Sequence, residues 1–249
     1  MSEVHTVLTL EDEATVAEAG AEIFIASACA AVEVRGRFVC ALAGGTTPGR
    51  LYSMLARPEY SSRIPWEHCF LFFGDERCVP RDHPDSNFRG GYQALLEPRG
   101  VPEGNIHRIQ GELKPAEAAG SYEQDLLDWF GDPRPRFDLI LLGMGDDGHT
   151  ASLFPGTSLV ASPKRDGSSL VEAVQVPKLA NWRITFTPYL INAASMVVLL
   201  VTGAAKASAL KAVLEGPYQP AVYPAQLVQP ANGKLTWLID QDAASLLEP

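Results

Sequence analysis

The run Gly143-Met144-Gly145-Asp146-Asp147-Gly148-His149 puts two carboxylates and an imidazole into one glycine-rich turn, directly after the apolar run of residues 137–142. Imidazole is the side chain that ordinarily ionises near neutrality, so His149 is the group able to take and return a proton. Asp147, two residues before it, is preferred to Asp146 as the group that orients the ring. A second set is Gly74-Asp75-Glu76-Arg77, three adjacent charges at the end of another apolar run. It reads either as a solvated loop or as a substrate-facing edge, with Arg77 available to an oxyanion or a phosphate. A third is Gly44-Gly45-Thr46-Thr47-Pro48-Gly49, a glycine turn between a strand and a helix. Free backbone N–H groups and the positive end of the helix dipole make such a turn an anion site. It matches neither the dinucleotide-binding glycine pattern nor the phosphate loop that ends in Gly-Lys-Ser/Thr.

Further cations could complete a phosphate site on Gly45, Thr46 and Thr47: Arg77, Arg89 or Lys206. Lys206 reads either as a solvated lysine or as an anion ligand, because a cation in a first helical turn opposes the helix dipole. No cysteine, histidine and carboxylate grouping has metal-ligand spacing, so no metal is expected. No serine sits in a nucleophile elbow, and Ser152 reads as a turn residue. An anion cradle, basic side chains and a carboxylate–histidine pair suit a phosphorylated small molecule undergoing proton transfer.

The elements that must position these groups follow from periodicity. Apolar runs predict strands over residues 37–43, 69–73, 106–109, 137–142, 196–201 and 235–239, with a weakly alternating edge strand over 4–10. Residues 170–176 and 182–186 alternate and predict a hairpin-like pair around Pro177. Helices are predicted over 11–34, 48–55, 115–130 and 204–214, with shorter ones capped by Ser86 and begun by Pro188. In the first, Thr9 and Asp12 resemble a capping box, Val16, Ile23 and Ala30 form the buried stripe, and Gly36 ends it. In the second, Thr47 is the expected N-cap and Pro48 the first helical residue. Tyr122, Leu126 and Trp129 should face inward from the helix over 115–130. Residues 158–169, with a solvated Lys164-Arg165 pair, read as a loop. Alternating strands and helices predict an α/β fold, a single Rossmann-like domain over 1–249 with a mainly parallel sheet and helices on both faces. The chemical groups then gather at strand carboxyl ends, where open α/β sheets bind ligands.

The chain has 249 residues, of which 46% are hydrophobic and 20% charged, and its formal net charge is -10. That balance argues against a nucleic-acid or anionic-membrane partner. Cys29, Cys40 and Cys69 lie in apolar runs and read as buried free thiols, and together with Cys78 they suggest reduced, cytoplasmic use. The N-terminus lacks the basic and apolar regions of a signal peptide, and the run Met196–Val201 is too short to cross a bilayer.

The motifs, in their order, resemble those of the 6-phosphogluconolactonases. The residues that carry the likeness are Ala43-Gly44-Gly45-Thr46-Thr47-Pro48, Gly74-Asp75-Glu76-Arg77 with Val79-Pro80 and Ser86-Asn87, and Gly143-Met144-Gly145 through Phe154-Pro155-Gly156. Arg183-Ile184-Thr185 and Gly203 with Lys206 extend it, which adds Arg183 to the expected substrate-binding set. The family more often has serine where Thr46 stands, and the hydroxyl is kept. The resemblance implies a fold like those of glucosamine-6-phosphate deaminase and ribose-5-phosphate isomerase. It also implies a sugar-phosphate lactone as the small-molecule partner and no metal or organic cofactor; no obligate protein partner is evident from the sequence. Glucosamine-6-phosphate deaminases are the rival. They continue their Asp-Gly-His motif into Asn-Glu-Pro, where this chain reads Leu153-Phe154-Pro155, and they have an aromatic residue where Arg77 stands. A sugar-phosphate-sensing regulator on the same fold ranks last, because no helix-turn-helix segment with a basic face precedes Arg37.

Overall fold

The computed structural model describes residues 5–162, 169–176 and 181–248. The readings of the extreme N-terminus, of Lys164-Arg165 and of a turn at Pro177 lie outside the described residues. Seven strands form one parallel sheet: β1 (His5–Leu10), β2 (Phe38–Leu42), β3 (Cys69–Phe73), β5 (Ile106–His107), β6 (Leu139–Gly143), β9 (Met196–Val201) and β10 (Lys234–Asp240), in the order β1-β10-β9-β6-β2-β3-β5. Every residue of β2 is buried, as are nearly all of β6 and β9. Strands covered on both faces need apolar side chains at every position, so these segments read as unbroken apolar runs and not as alternating ones.

From β2 the chain builds outward through β3 to β5. It then returns to the centre at β6 and builds the other way through β9 to β10. The direction reverses between β2 and β6, and the loops leaving those two strands diverge to open a crevice, the place where doubly wound sheets bind ligands. The glycine turn at Gly44 and the His149 loop are those two loops.

The long helix α1 (Glu13–Arg35) packs on β2, β9 and β10. Its N-cap is Asp12, whose side chain accepts from Thr15 N–H while the Thr15 hydroxyl accepts from Asp12 N–H. The capping box is therefore Asp12 with Thr15, not Thr9 with Asp12, because Thr9 still belongs to β1. Val16 is buried as expected, but Ile23 is only half-buried and Ala30 is exposed; Phe24, Ile25, Ala28 and Ala31 carry the stripe instead. Alanine is tolerated on either face, so an alanine-rich helix gives little phase information. Gly36 ends the helix at φ 70°. This helix is long and apolar enough by length and composition to cross a membrane, and its apolar face is occupied by the sheet. Cys29 is exposed on it, against the expected burial, whereas Cys40 and Cys69 are buried.

The second helix, α2, spans Thr46–Leu55 and is N-capped by Gly45 at φ 104°, not by Thr47. Backbone geometry at the cap requires glycine there, and the Thr47 hydroxyl instead pairs with Thr202 Oγ1 at 2.8 Å. The helix Pro115–Phe130 buries Tyr122 and Leu126, with Trp129 half-buried against Phe70 and Phe72. Residues 204–206 form a 3-10 turn, and the α-helix proper starts at Ala207.

One element departs from the single-sheet expectation. At Gly74, whose N–H donates to Leu42 O at 2.9 Å, the chain leaves the main sheet, and β4 (Asp75–Arg77) pairs antiparallel with β8 (Asn181–Phe186). Adding β7 (Val171–Val176) gives a three-stranded antiparallel sheet in the order β4-β8-β7. A three-residue charged strand carries no periodic signature, so the sequence pattern could not mark it as one.

Candidate active site

Backbone bracing fixes each loop of the crevice. Before the glycine turn, the buried Tyr52 hydroxyl accepts from Ala43 N–H at 2.8 Å and donates to Ala43 O at 2.7 Å. Burial pushes that phenol well above its usual range, so it stays neutral and serves as donor and acceptor at once. Gly44 follows with no room for a side chain: a Cβ there would stand 1.8 Å from Asn87 Oδ1. Beyond it, the first N–H groups of α2 open toward the crevice, except at Pro48, which has none.

The His149 loop is braced across itself. Gly145 N–H donates to His149 O at 2.8 Å, and the Thr150 hydroxyl donates to Gly143 O at 2.7 Å. His149 Nδ1 lies 2.5 Å from Asp147 Oδ1, which also accepts His149 N–H at 3.2 Å. Asp146 is exposed. The imidazole crosses Gly145, where a Cβ would stand 2.1 Å from Nδ1, and Phe154 stacks on it at 4.0 Å between ring centroids. The ring is thus fixed in position and in orientation.

On the opposite wall, β4 carries three charges with three different fates. Glu76 is 2% exposed and turns inward, accepting from the N–H groups of Arg77, Asn87 and Phe88 and from the Ser86 hydroxyl at 2.7–3.0 Å. Burial pushes its carboxyl up and those donors pull it back. It clamps the start of the helix Asn87–Gly91, and does not face substrate. Asp75 and Arg77 face the crevice, and one Arg77 N–H donates to Asp85 O at 2.5 Å. Arg183 stands beside Arg77 in register on β8; burial and the neighbouring Arg77 charge both push its guanidinium down.

The fourth wall is the turn after β9. Asp240, itself buried, accepts Gly203 N–H through both carboxylate oxygens at 3.0 and 2.9 Å and also caps the last helix through Ala243 N–H at 2.7 Å. That holds the turn carrying Lys206 against the sheet.

The result is a cleft with two adjoining parts. One, about 210 Å³, is lined by Gly44, Gly45, Thr46, Thr47, Asn87, Thr202 and Lys206. The other, about 240 Å³, is lined by Asp146, Asp147, Ser152, Phe154 and Arg183. Asp75, Arg77, His149 and Ala151 line both. Of the residues expected from sequence, Gly44, Gly45, Thr46, Thr47, Asp75, Arg77, Asp147, His149, Arg183 and Lys206 therefore come together. Arg89 lines neither part. Its N–H caps onto Ser86 Oγ at 3.1 Å, one turn into a short helix. Asn87, Thr202 and Phe154 had no role assigned from sequence. Asn87 follows the expected helix cap and Phe154 lies within the third motif, five residues after the ring it covers, whereas Thr202 meets Thr47 across 155 positions and leaves no local pattern. Among the described residues, no group of three or more His, Cys, Asp or Glu stands where it could hold a metal ion.

Comparison with known proteins gives a consistent picture. The family described as glucosamine-6-phosphate isomerases/6-phosphogluconolactonase matches residues 11–237. A 6-phosphogluconolactonase of Synechocystis is 43% identical over 230 residues, covering 88% of each chain. The solved 6-phosphogluconolactonase of Trypanosoma brucei superposes with a TM-score of 0.86 at 27% identity, over 99% of this chain and 100% of that one. A monomeric glucosamine-6-phosphate deaminase superposes with a TM-score of 0.81 at 23% identity, over 97% and 99% of the two chains, a likeness of fold.

Proposed function

The chain belongs to the glucosamine-6-phosphate isomerase/6-phosphogluconolactonase family, and from that membership we propose that its cleft hydrolyses 6-phospho-D-glucono-1,5-lactone to 6-phosphogluconate, the second step of the oxidative pentose phosphate pathway. The observation that carries the reading is the 2.5 Å contact between Asp147 and His149 Nδ1, in a cleft that also holds a helix N-terminus and three cations. Asp147 accepts a hydrogen bond from Nδ1–H and so leaves Nε2 with its lone pair as the general base. A water deprotonated at Nε2 attacks C1 of the lactone. The oxyanion that forms is stabilised by Arg77 or by nearby backbone N–H groups. Collapse expels the ring oxygen, and the imidazolium returns its proton to that leaving group. Atoms and charge balance without any further reagent.

The phosphate is assigned to the Gly45-Thr46-Thr47 end, with Lys206 and Arg77 supplying charge. A dianion bound by a protein of net charge -10 needs concentrated local positive potential. Arg183, in the part nearer Asp147, is assigned to the sugar acid end. The reading treats 1–249 as one domain with a small-molecule partner, and a reducing, cytoplasmic setting agrees with four free cysteines.

The experiment is direct. Purified protein is mixed with freshly made 6-phosphogluconolactone, and acid release is followed against the spontaneous rate, with glucosamine-6-phosphate and ammonia detection as the paired control. Ammonia release without lactone hydrolysis would replace the assignment with the deaminase.

A further inference from the structure

Asp75 is a buried carboxylate, and both of its oxygens are engaged. Asn87 Nδ2 donates to Oδ1 at 3.0 Å, and the Ser152 hydroxyl donates to Oδ2 at 2.6 Å. Asn87 Nδ2 also reaches the Asp75 carbonyl at 3.0 Å, and Asn87 is itself held by Glu76 through its N–H at 2.7 Å. Ser152 is 1% exposed, and the reaction above makes no use of its hydroxyl. Its N–H donates to Thr185 Oγ1, at 3.2 Å, on the strand that pairs with β4. Ala151, just before it, adopts φ 47°, the one positive-φ non-glycine among the described residues. That conformation is disfavoured for an L side chain and persists where its surroundings impose it. Here it lets one turn present His149 to the cleft and Ser152 to Asp75.

We infer that Ser152 is a positioning residue, which with Asn87 fixes Asp75 as the acceptor for a ring hydroxyl of the substrate; the inference rests on the lactonase reading above. Each carboxylate oxygen accepts along two directions. One direction on each is taken by Asn87 or Ser152, and one remains. Asp75 lines both parts of the cleft, so the remaining directions are available to a sugar ring lying between the phosphate end and His149. A site built to pair a hydroxyl rejects the analogue that lacks it, since the buried acceptor is then left unpaired. The ligand class is therefore a polyhydroxylated ring bearing a phosphate, with Asp75 reading a hydroxyl and Ser152 setting the aim.

The test is a double-mutant cycle with Ser152→Ala, Asp75→Asn and the pair. Ser152→Ala keeps the N–H to Thr185, so it deletes the carboxylate contact and leaves the loop anchored. Ser152→Ala is expected to raise KM for the lactone about tenfold, the scale of one charge-assisted hydrogen bond, with kcat within about threefold of wild type. Combined with Asp75→Asn it should add almost nothing, because both changes disable one acceptor. An unchanged KM in Ser152→Ala, or multiplicative effects in the pair, would overturn the inference. If the wild type binds 6-phosphogluconate but does not hydrolyse the lactone, the lactonase reading fails on its own. The same cycle, read as calorimetric affinity for 6-phosphogluconate, then decides the part of Ser152 by the same criterion of non-additivity. A wild type that neither binds nor turns over overturns both.

Discussion

His149 Nδ1 meets Asp147 Oδ1 at 2.5 Å while Phe154 covers the same ring at 4.0 Å, so one carboxylate sets the tautomer and one aromatic face sets the plane. The aspartate has a task only if the other nitrogen does the chemistry. Asp147→Asn retains size and one acceptor but no longer enforces the Nδ1–H tautomer. It should lower kcat by about a hundredfold or more with little change in KM, measured by steady-state hydrolysis of the lactone. An Asp147→Asn enzyme with normal kcat would mean the contact is only structural.

The phosphate end makes a separate claim on affinity. Lys206→Ala and Arg77→Ala should each raise KM strongly. Unphosphorylated gluconolactone should be poorer by on the order of a hundredfold in kcat/KM, because remote binding is used to lower the barrier at C1. Equal turnover of the two lactones would remove the phosphate from the Gly45-Thr46-Thr47 cradle. Arg89→Ala, outside the lining of the cleft, is expected to leave KM near that of wild type.

Two glycines are required by what passes over them. A Cβ on Gly145 would stand 2.1 Å from His149 Nδ1, and one on Gly44 would stand 1.8 Å from Asn87 Oδ1. Gly145→Ala should displace the imidazole and cut kcat, and Gly44→Ala should unseat Asn87. Each is expected to cost about 1–3 kcal/mol of stability, read from denaturant unfolding. Full activity in Gly145→Ala would contradict the position of the ring.

A prediction about acid stability lies away from the cleft. His107 stacks on Phe72 at 4.2 Å between centroids, its Nε2 is buried without a partner, and burial pushes its imidazole below the ordinary 6.5. Its folded form therefore resists protonation more than its unfolded form. The stability it permits is present above about 6.5 and is lost as pH falls through the lowered folded value. His107→Phe keeps the stack and removes the titration. The Tm of the wild type should fall relative to this variant between pH 7.5 and 5, and a constant Tm difference would contradict the burial argument.

Much of the fold is legible in the sequence because β2, β6 and β9 are buried on both faces and so are written as apolar runs, each closed by glycine or a small polar residue at the crevice. The His149 loop is legible because its glycines, acids and imidazole are contiguous. The antiparallel sheet is not, since β4 is three charged residues whose pairing with β8 spans more than a hundred positions. The same distance hides the Asp75–Ser152 contact, separated by 77 residues. Arg89 is one of the cations that a phosphate on a chain of net charge -10 could recruit, but it sits two residues after Asn87 in the helix Asn87–Gly91, about 200° round from the residue that lines the cleft.

The measurement that bears most directly on the account is the single-turnover rate of lactone opening by wild type and by His149→Ala, with folding verified by circular dichroism and 6-phosphogluconate affinity by calorimetry. Wild type should exceed the spontaneous rate. His149→Ala should lose roughly a hundredfold to ten-thousandfold in rate, with affinity nearly intact. A folded His149→Ala protein that opens the lactone as fast as wild type would contradict the account and move the search for the base to the other groups of the cleft.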